Sequence, residues 1–272
     1  MSEPAEHTRP ELGEVFSNPG VAAAYVHRPP YPPEVFDILE KLVTEEPRAV
    51  LDIGAGDGAI ARPLASRVGR VDALDVSAAM IEAGRRRPGG ERPNLRWILG
   101  AVETAELGGP YALVTAGASL HWMRWGPTLN RLARVMTPHA YLAIVEHGPR
   151  DVPWQDDLVT VIKRHSRYPD YDPRFSVVGA LQQRGLLELS GSAESSPTPF
   201  RQSVSDYVEQ FHSTSSLARE HMSEQEARDF DLAVEQVVRP WAHDDMLELA
   251  IVATLAWGRP QPAGMRGVAS EA

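Results

Sequence analysis

The chain has no cysteine among its 272 residues, which excludes disulfides, thiolate metal sites and cysteine nucleophiles. Lysine is nearly missing too, with Lys41 and Lys163 the only two, whereas arginine, alanine and proline are abundant. That usage fits a GC-rich coding genome and a bacterial source. No run of about 18 apolar residues occurs, so no membrane span and no membrane partner are expected. Met1 to Gly13 is polar and acidic, without the apolar core of a secretory leader, so a cytoplasmic protein is expected. Positive charge is in deficit: 27 Lys and Arg face 37 Asp and Glu, a net charge of −10. A nucleic-acid partner needs a basic stripe, and the longest basic run, Arg85-Arg86-Arg87, closes a predicted helix where cations favour the dipole. No His/Asp/Glu group has metal-ligand spacing, and His243-Asp244-Asp245 reads as an exposed turn. No Gly-x-Ser-x-Gly elbow supports a hydrolase.

What remains is an ordinary globule, 43% hydrophobic and 24% charged, long enough for one large α/β domain with or without a cap. Apolar periodicity predicts helices over 20–26 and 33–43, then a strand over 48–53 whose apolar run suits a sheet buried on both faces. Helix 59–68, strand 71–75, helix 77–87, strand 95–99, strand 112–116, helix 127–136 and strand 141–146 follow. Strands alternating with helices imply parallel crossovers. Beyond Gly148, helices are expected over 154–165, 177–183, 204–212 and 224–238, one or two strands within 186–200, and a final strand over 249–257.

The densest signal is Val50-Leu51-Asp52-Ile53-Gly54-Ala55-Gly56-Asp57-Gly58, an apolar strand opening into alternate glycines. Such a turn lets a ligand approach bare backbone, with the N–H donors of the following helix behind it. A second apolar run ends in Asp75, about 20 residues after the first glycine, where a doubly wound nucleotide fold places an acid for a ribose diol. The pattern predicts an adenosine-containing cofactor. Gly54-x-Gly56-x-x-Ala59 formally satisfies the dinucleotide fingerprint, so an NAD(P)-dependent oxidoreductase is the alternative. Against it stand Asp52 inside the strand, the third glycine at Gly58, and the lack of a tyrosine four residues before either lysine.

Val50 to Gly58 resembles the first motif of class I S-adenosylmethionine-dependent methyltransferases, and Val71 to Val76 resembles the second. Leu132 to Pro138 with Tyr141 to Ile144 is similar to the helix, turn and strand that close such cores. Tyr25-x-x-Arg28-Pro29-x-Tyr31-Pro32 and Ala118-Ser119-Leu120-His121-Trp122-Met123 resemble the subgroup that includes trans-aconitate methyltransferases. Two departures stand out: His139-Ala140 where two glycines are usual, and Ala101 where an aspartate often meets the adenine amine. The resemblance implies S-adenosyl-L-methionine held by Tyr25, Arg28, Asp52, Gly54, Gly56, Gly58, Asp75, Val76, Met80, Ala101, Val102, Glu103, Gly117 and Ala118. Arg28 would pair with the methionine carboxylate. His121 and His147 are the candidate general bases, and Trp122, Glu146 and His212 the candidate substrate contacts. Arg124, Arg150 or Arg201 is a candidate holder of an acidic acceptor.

The expectation is an α/β, doubly wound Rossmann-like seven-stranded mixed sheet with helices on both faces and a helical cap. Residues 1–12 would form a flexible tail, 13–149 the cofactor-binding core, 150–245 a helical cap that sets specificity, 246–259 the final core strand and 260–272 a disordered tail. The expected function is methyl transfer to a small-molecule acceptor, by O-methylation of a carboxylate or hydroxyl in preference to N-methylation. No metal is expected, and the protein would be a monomer or homodimer. A methyltransferase-like protein that binds without catalysis is the other alternative.

Overall fold

The computed structural model describes residues 16, 18–167 and 175–261. Its elements in chain order begin with α1 (Pro19–Ala24), α2 (Glu34–Leu42), β1 (Ala49–Ile53), α3 (Ala61–Leu64), β2 (Arg70–Asp75) and α4 (Ala78–Arg86). Next come β3 (Leu95–Leu99), β4 (Tyr111–Gly117), α5 (Trp125–Val135), β5 (Met136–Pro149), α6 (Gln155–His165) and α7 (Val177–Gln183). The chain closes with β6 (Leu187–Glu194), β7 (Thr198–Ser203), α8 (Val204–Glu209), α9 (Glu224–Val238) and β8 (Met246–Pro260).

All strands join one mixed sheet with the order β3-β2-β1-β4-β5-β8-β6, and β7 pairs beside β6 on β8. The first five strands run parallel, and β8 is antiparallel to β5, β6 and β7. Every residue of β1 is buried, as its apolar run requires of a central strand covered on both faces. One face is packed by α2 and α3 through Val35, Leu39, Ala61 and Leu64, the other by α5 and α7 through Trp125, Leu129, Leu132 and Leu181. A third apolar cluster gathers α6, α8 and α9 over the first half of β8, with Phe230, Val234 and Val238 fully buried. Ser223 and Glu226 form a reciprocal capping box that starts α9, and Ser77 caps α4 by accepting the Met80 N–H.

The structure corrects several expectations. The sheet has eight strands, because residues 187–203 supply two short strands that pair consecutive halves of β8. Pro199 sits in β7, an edge strand, where a missing N–H costs no ladder bond. The 150–245 segment is therefore not a purely helical cap: β6, β7 and α7 belong to the sheet layer. The helix expected over 59–68 shrinks to four residues, with Pro63 inside it. β5 starts at Met136 rather than 141, and the expected turn at Pro138 is a bulged stretch between the Tyr111–Met136 and Leu113–Tyr141 pairs. Glu45 holds that bulge by accepting the His139 N–H at 2.9 Å and the Thr137 hydroxyl. Neither His139 nor Ala140 needs a positive φ, which explains why glycines are dispensable there. Pro260 ends β8 and Gln261 donates to the Leu186 carbonyl at 2.8 Å, so residues 260 and 261 are not part of the expected tail. The expected tails at 1–12 and 262–272 lie outside the described residues. No helix among the described residues is long and apolar enough to cross a membrane.

Candidate active site

The parallel strands end together at one rim of the sheet, and there a cleft of about 1900 Å³ opens. Open α/β sheets bind ligands at this rim because the crossover loops part on either side of it. The β1 tip turns away through Gly54, whose φ of +61° and lack of a side chain are both required: a Cβ would lie 2.6 Å from the Ser119 Cβ. Ser119 in turn donates its hydroxyl to the Ile53 carbonyl at 2.7 Å, tying the β4 exit to the β1 exit. At the β2 tip, Asp75 accepts the Gly56 N–H at 2.7 Å through Oδ2 and the Ser77 N–H at 2.8 Å through Oδ1. Burial raises its carboxyl pKa, and these two backbone donors pull the other way. One carboxylate thus shapes the glycine loop while keeping further lone pairs for a ligand.

Val76, Met80, Ala101, Val102 and Glu103 continue the wall on this side, with Val76 half exposed. Across from them Gly117 and Ala118 leave β4. Ala118 has φ +47°, a left-handed backbone rarely adopted by a residue with a Cβ, held by its N–H donating to the Val145 carbonyl at 3.0 Å. The N-terminal segment crosses over the cleft. The Phe16 carbonyl accepts the Ser77 hydroxyl at 2.5 Å, and its ring meets Trp122 edge-on at 5.8 Å. The Arg28 guanidinium stacks over Tyr25 at 4.3 Å and donates to Ser213 Oγ at 2.7 Å and to the Ser213 carbonyl at 3.1 Å. That links the segment to the 3₁₀ turn Gln210–Ser213.

Asp52, Gly58 and His212 stand apart from the cleft lining. Asp52 is buried within β1, accepts the Thr115 hydroxyl at 2.7 Å, and has its pKa pushed up to about 7 by burial. Gly58 is a packing position: a Cβ there would lie 2.6 Å from the Trp97 ring. His212 is buried behind the wall, with Nδ1 at 2.7 Å from the Leu217 carbonyl and Nε2 at 2.7 Å from Asp231. It supports the cap instead of meeting a substrate. Tyr207 is likewise committed, accepting the Trp154 indole N–H at 2.9 Å.

The two candidate bases differ. His147 donates Nε2–H to the Pro29 carbonyl at 2.8 Å and stacks on Tyr31 at 3.9 Å, while its Nδ1 is buried without a partner among the described residues. A carbonyl can only accept, so Nε2 carries the proton and the remaining lone pair is closed off; His147 anchors the N-terminal segment and is not placed as a base. His121 faces the cleft against Trp122 at 4.2 Å, with its pKa driven to about 4 by burial and by Arg28. A base that weak suits neutral pH poorly. Glu146 lines the cleft beside them; burial pushes its carboxyl up to about 7, against an opposing pull from Arg28.

Of the candidate acid-binding arginines, Arg150 pairs with Glu194, Arg201 lies 3.6 Å from Glu248, and Arg124 lies 3.9 Å from Glu103. The expected turn at 243–245 is a tight hairpin: His243 and Met246 exchange backbone hydrogen bonds at 2.9 Å around Asp244 and Asp245, both with positive φ. Among the described residues no group of His, Asp and Glu gathers as a metal site requires. Residues the sequence reading missed line the far half of the cleft, among them Ser192, Glu194, Phe211 and Thr254. Only Thr254 left a signal, as a lone hydroxyl inside the apolar run of β8.

Residues 50–139 match the family model of a methyltransferase domain. An uncharacterized methyltransferase of Mycobacterium tuberculosis is 34% identical over 110 residues, 40% of this chain and 55% of that protein. The match thus spans about half the length of this relative. A proposed type II methyltransferase from Anaeromyxobacter dehalogenans has a similar fold, with TM-score 0.60 and 21% identity over 87% of this chain and 99% of that one. A SAM-dependent methyltransferase from Geobacter sulfurreducens, solved with S-adenosyl-L-homocysteine, has TM-score 0.50 and 15% identity over 93% of this chain and 99% of that one.

Proposed function

We propose that this chain, with a methyltransferase domain at its core, is an S-adenosylmethionine-dependent methyltransferase acting on a small-molecule acceptor. The observation that carries this reading is the joined tip of β1 and β2, where Asp75 and the Gly54–Gly56 loop form one wall of the cleft. Gly54 and Gly56 present bare backbone to the cleft, and the acid beside them retains acceptor capacity, so the residues present fit the cofactor.

In this reading Asp75 accepts the ribose hydroxyls, and Val76, Met80, Ala101, Val102 and Glu103 surround the adenine. Gly54, Gly56 and Tyr25 flank the amino-acid end, and Arg28 meets its carboxylate. Gly117 and Ala118, small residues at the β4 tip, leave room beside the sulfur. When bound, the cofactor supplies a methyl group already activated on a sulfonium. The protein's own contribution is to align the acceptor behind that carbon and keep water out. Phe16, Tyr25 and Trp122 roof the cleft and support that exclusion. The motif of Tyr25, Arg28, Pro29, Tyr31 and Pro32 supports an acceptor of metabolite size, as in the subgroup it resembles. The acceptor's place is the half of the cleft beyond Gly117, between the β5–β8–β6 face and the loops around α6 and the Gln210–Ser213 turn.

Calorimetry tests the reading directly. S-adenosylhomocysteine should bind one per chain with micromolar or tighter affinity, and NADH should not compete. Binding of NADH alone would replace this reading with the oxidoreductase. Turnover of labelled S-adenosylmethionine against a metabolite panel separates an enzyme from a protein that only binds.

A further inference from the structure

The far half of the cleft has a polar floor, the open face of the antiparallel part of the sheet. Glu146 on β5 stands directly opposite Thr254 on β8, which stands directly opposite Glu194 on β6. Residues paired in this way share one face of a sheet, with Cβ atoms ~5 Å apart across each pair. All three line the cleft, as does Ser192 two pairs along on the same face, opposite Ala256. Ile162, Phe175, Val177 and Phe211 form apolar walls above them.

The two carboxylates differ in their commitments. Glu194 is neutralised by Arg150. Glu146 has neither an ion pair nor a hydrogen bond with any described residue; the positive charge of Arg28 favours its ionised form. Yet it remains accessible from the cleft. Open to the cleft and without a protein donor, it is available to accept an N–H or O–H from a ligand. Among the described residues, the arginines lining the cleft are Arg28, braced by Ser213, and Arg124, beside Glu103. Neither is free over the polar floor to hold an anion.

We propose that the acceptor is an apolar-bodied amine or alcohol whose nucleophilic N–H or O–H is bound by Glu146. The inference rests on the methyltransferase reading and narrows it: carboxylate acceptors, which carry no such hydrogen, are disfavoured by the like charge of Glu146. The step balances. As the acceptor's lone pair forms the bond to the methyl carbon, the carbon–sulfur bond breaks and its electron pair stays on sulfur. The hydrogen on the acceptor's heteroatom leaves as a proton to a Glu146 carboxylate oxygen and then passes to solvent. A carboxyl titrating near neutrality accepts such a proton better than the depressed imidazole of His121.

The test uses the full chain saturated with S-adenosylhomocysteine, titrated with three probes that share one body: phenethylamine, 2-phenylethanol and 3-phenylpropanoate. At pH 8 the amine, the alcohol or both should bind and the carboxylate should not, and the two donor arms tell which head group is preferred. Glu146→Gln should retain S-adenosylhomocysteine affinity and weaken the amine about tenfold, since a charge-assisted bond becomes a neutral one. Glu146→Asp should recover part of that loss. Amine affinity should also fall as pH drops through about 7 and Glu146 protonates; Arg28, His121, His147, Tyr31 and the Arg150–Glu194 pair are the other groups around it. The proposal is overturned if 3-phenylpropanoate binds as well as either donor, if neither donor binds, or if the glutamine variant keeps the wild-type amine affinity. Failure of S-adenosylhomocysteine itself to bind would instead overturn the methyltransferase reading.

Discussion

The Gly56 N–H donates to Asp75 Oδ2 at 2.7 Å, so the glycine loop of β1 and the acid of β2 form one hydrogen-bonded unit. The expected ribose acid therefore also holds the loop expected to cradle the methionine end. Asp75→Ala removes both functions. S-adenosylhomocysteine affinity should fall at least tenfold, and stability by about 1–3 kcal/mol because buried backbone donors lose their acceptor. Calorimetry and urea denaturation read the two effects separately; unchanged affinity would place the ribose elsewhere.

Gly54→Ala should be harmful before any ligand binds. The new methyl would lie 2.6 Å from the Ser119 Cβ on a backbone with φ +61°. Strain and overpacking of this kind cost about 1–3 kcal/mol each. A lowered urea midpoint is expected, together with weaker cofactor binding as the loop shifts. A midpoint equal to wild type would mean that β4 yields freely at Ser119.

His147→Ala tests anchoring against catalysis. The substitution removes the Nε2 donor to Pro29 and the stacking surface under Tyr31. Amide exchange in the segment from Tyr25 to Tyr31 should accelerate, and S-adenosylhomocysteine should bind more weakly because that segment covers the cleft. Unaltered exchange would leave His147 without the anchoring role.

Asp52 makes stability depend on pH in a stated direction. Its folded-state pKa of about 7 lies above the ordinary 3.8, so the folded protein keeps a proton that the unfolded chain releases. Where the folded state binds more protons, stability falls as pH rises. The loss should therefore accumulate between about pH 4 and pH 7, with Asp75 and Glu146 acting in the same direction. Asp52→Asn, which cannot ionise, should reduce that slope in urea midpoints measured from pH 4.5 to pH 8. Identical slopes in both proteins would show that Asp52 is ionised throughout.

Local pattern determined much of this protein. The alternating apolar runs and the capped helices are short-range features, so β1 to β4, α4, α7 and α9 lie close to where periodicity and capping residues put them. The glycine turn and Asp75 were legible for the same reason: each is a backbone requirement or a strand-end acid written within a few residues. Only the tertiary structure decided the rest. Antiparallel pairing with β8 set Glu146, Thr254 and Glu194 in one row, although they lie far apart along the chain. The strands expected within 186–200 became two, paired in succession along β8, because β8 is long enough to offer both an edge. His147 and His212 were drawn into structural hydrogen bonds by Pro29, Leu217 and Asp231, partners that long-range packing delivers. A side chain's type announces what chemistry it can do; its neighbours, gathered by burial and strand register, determine which of those roles remains open.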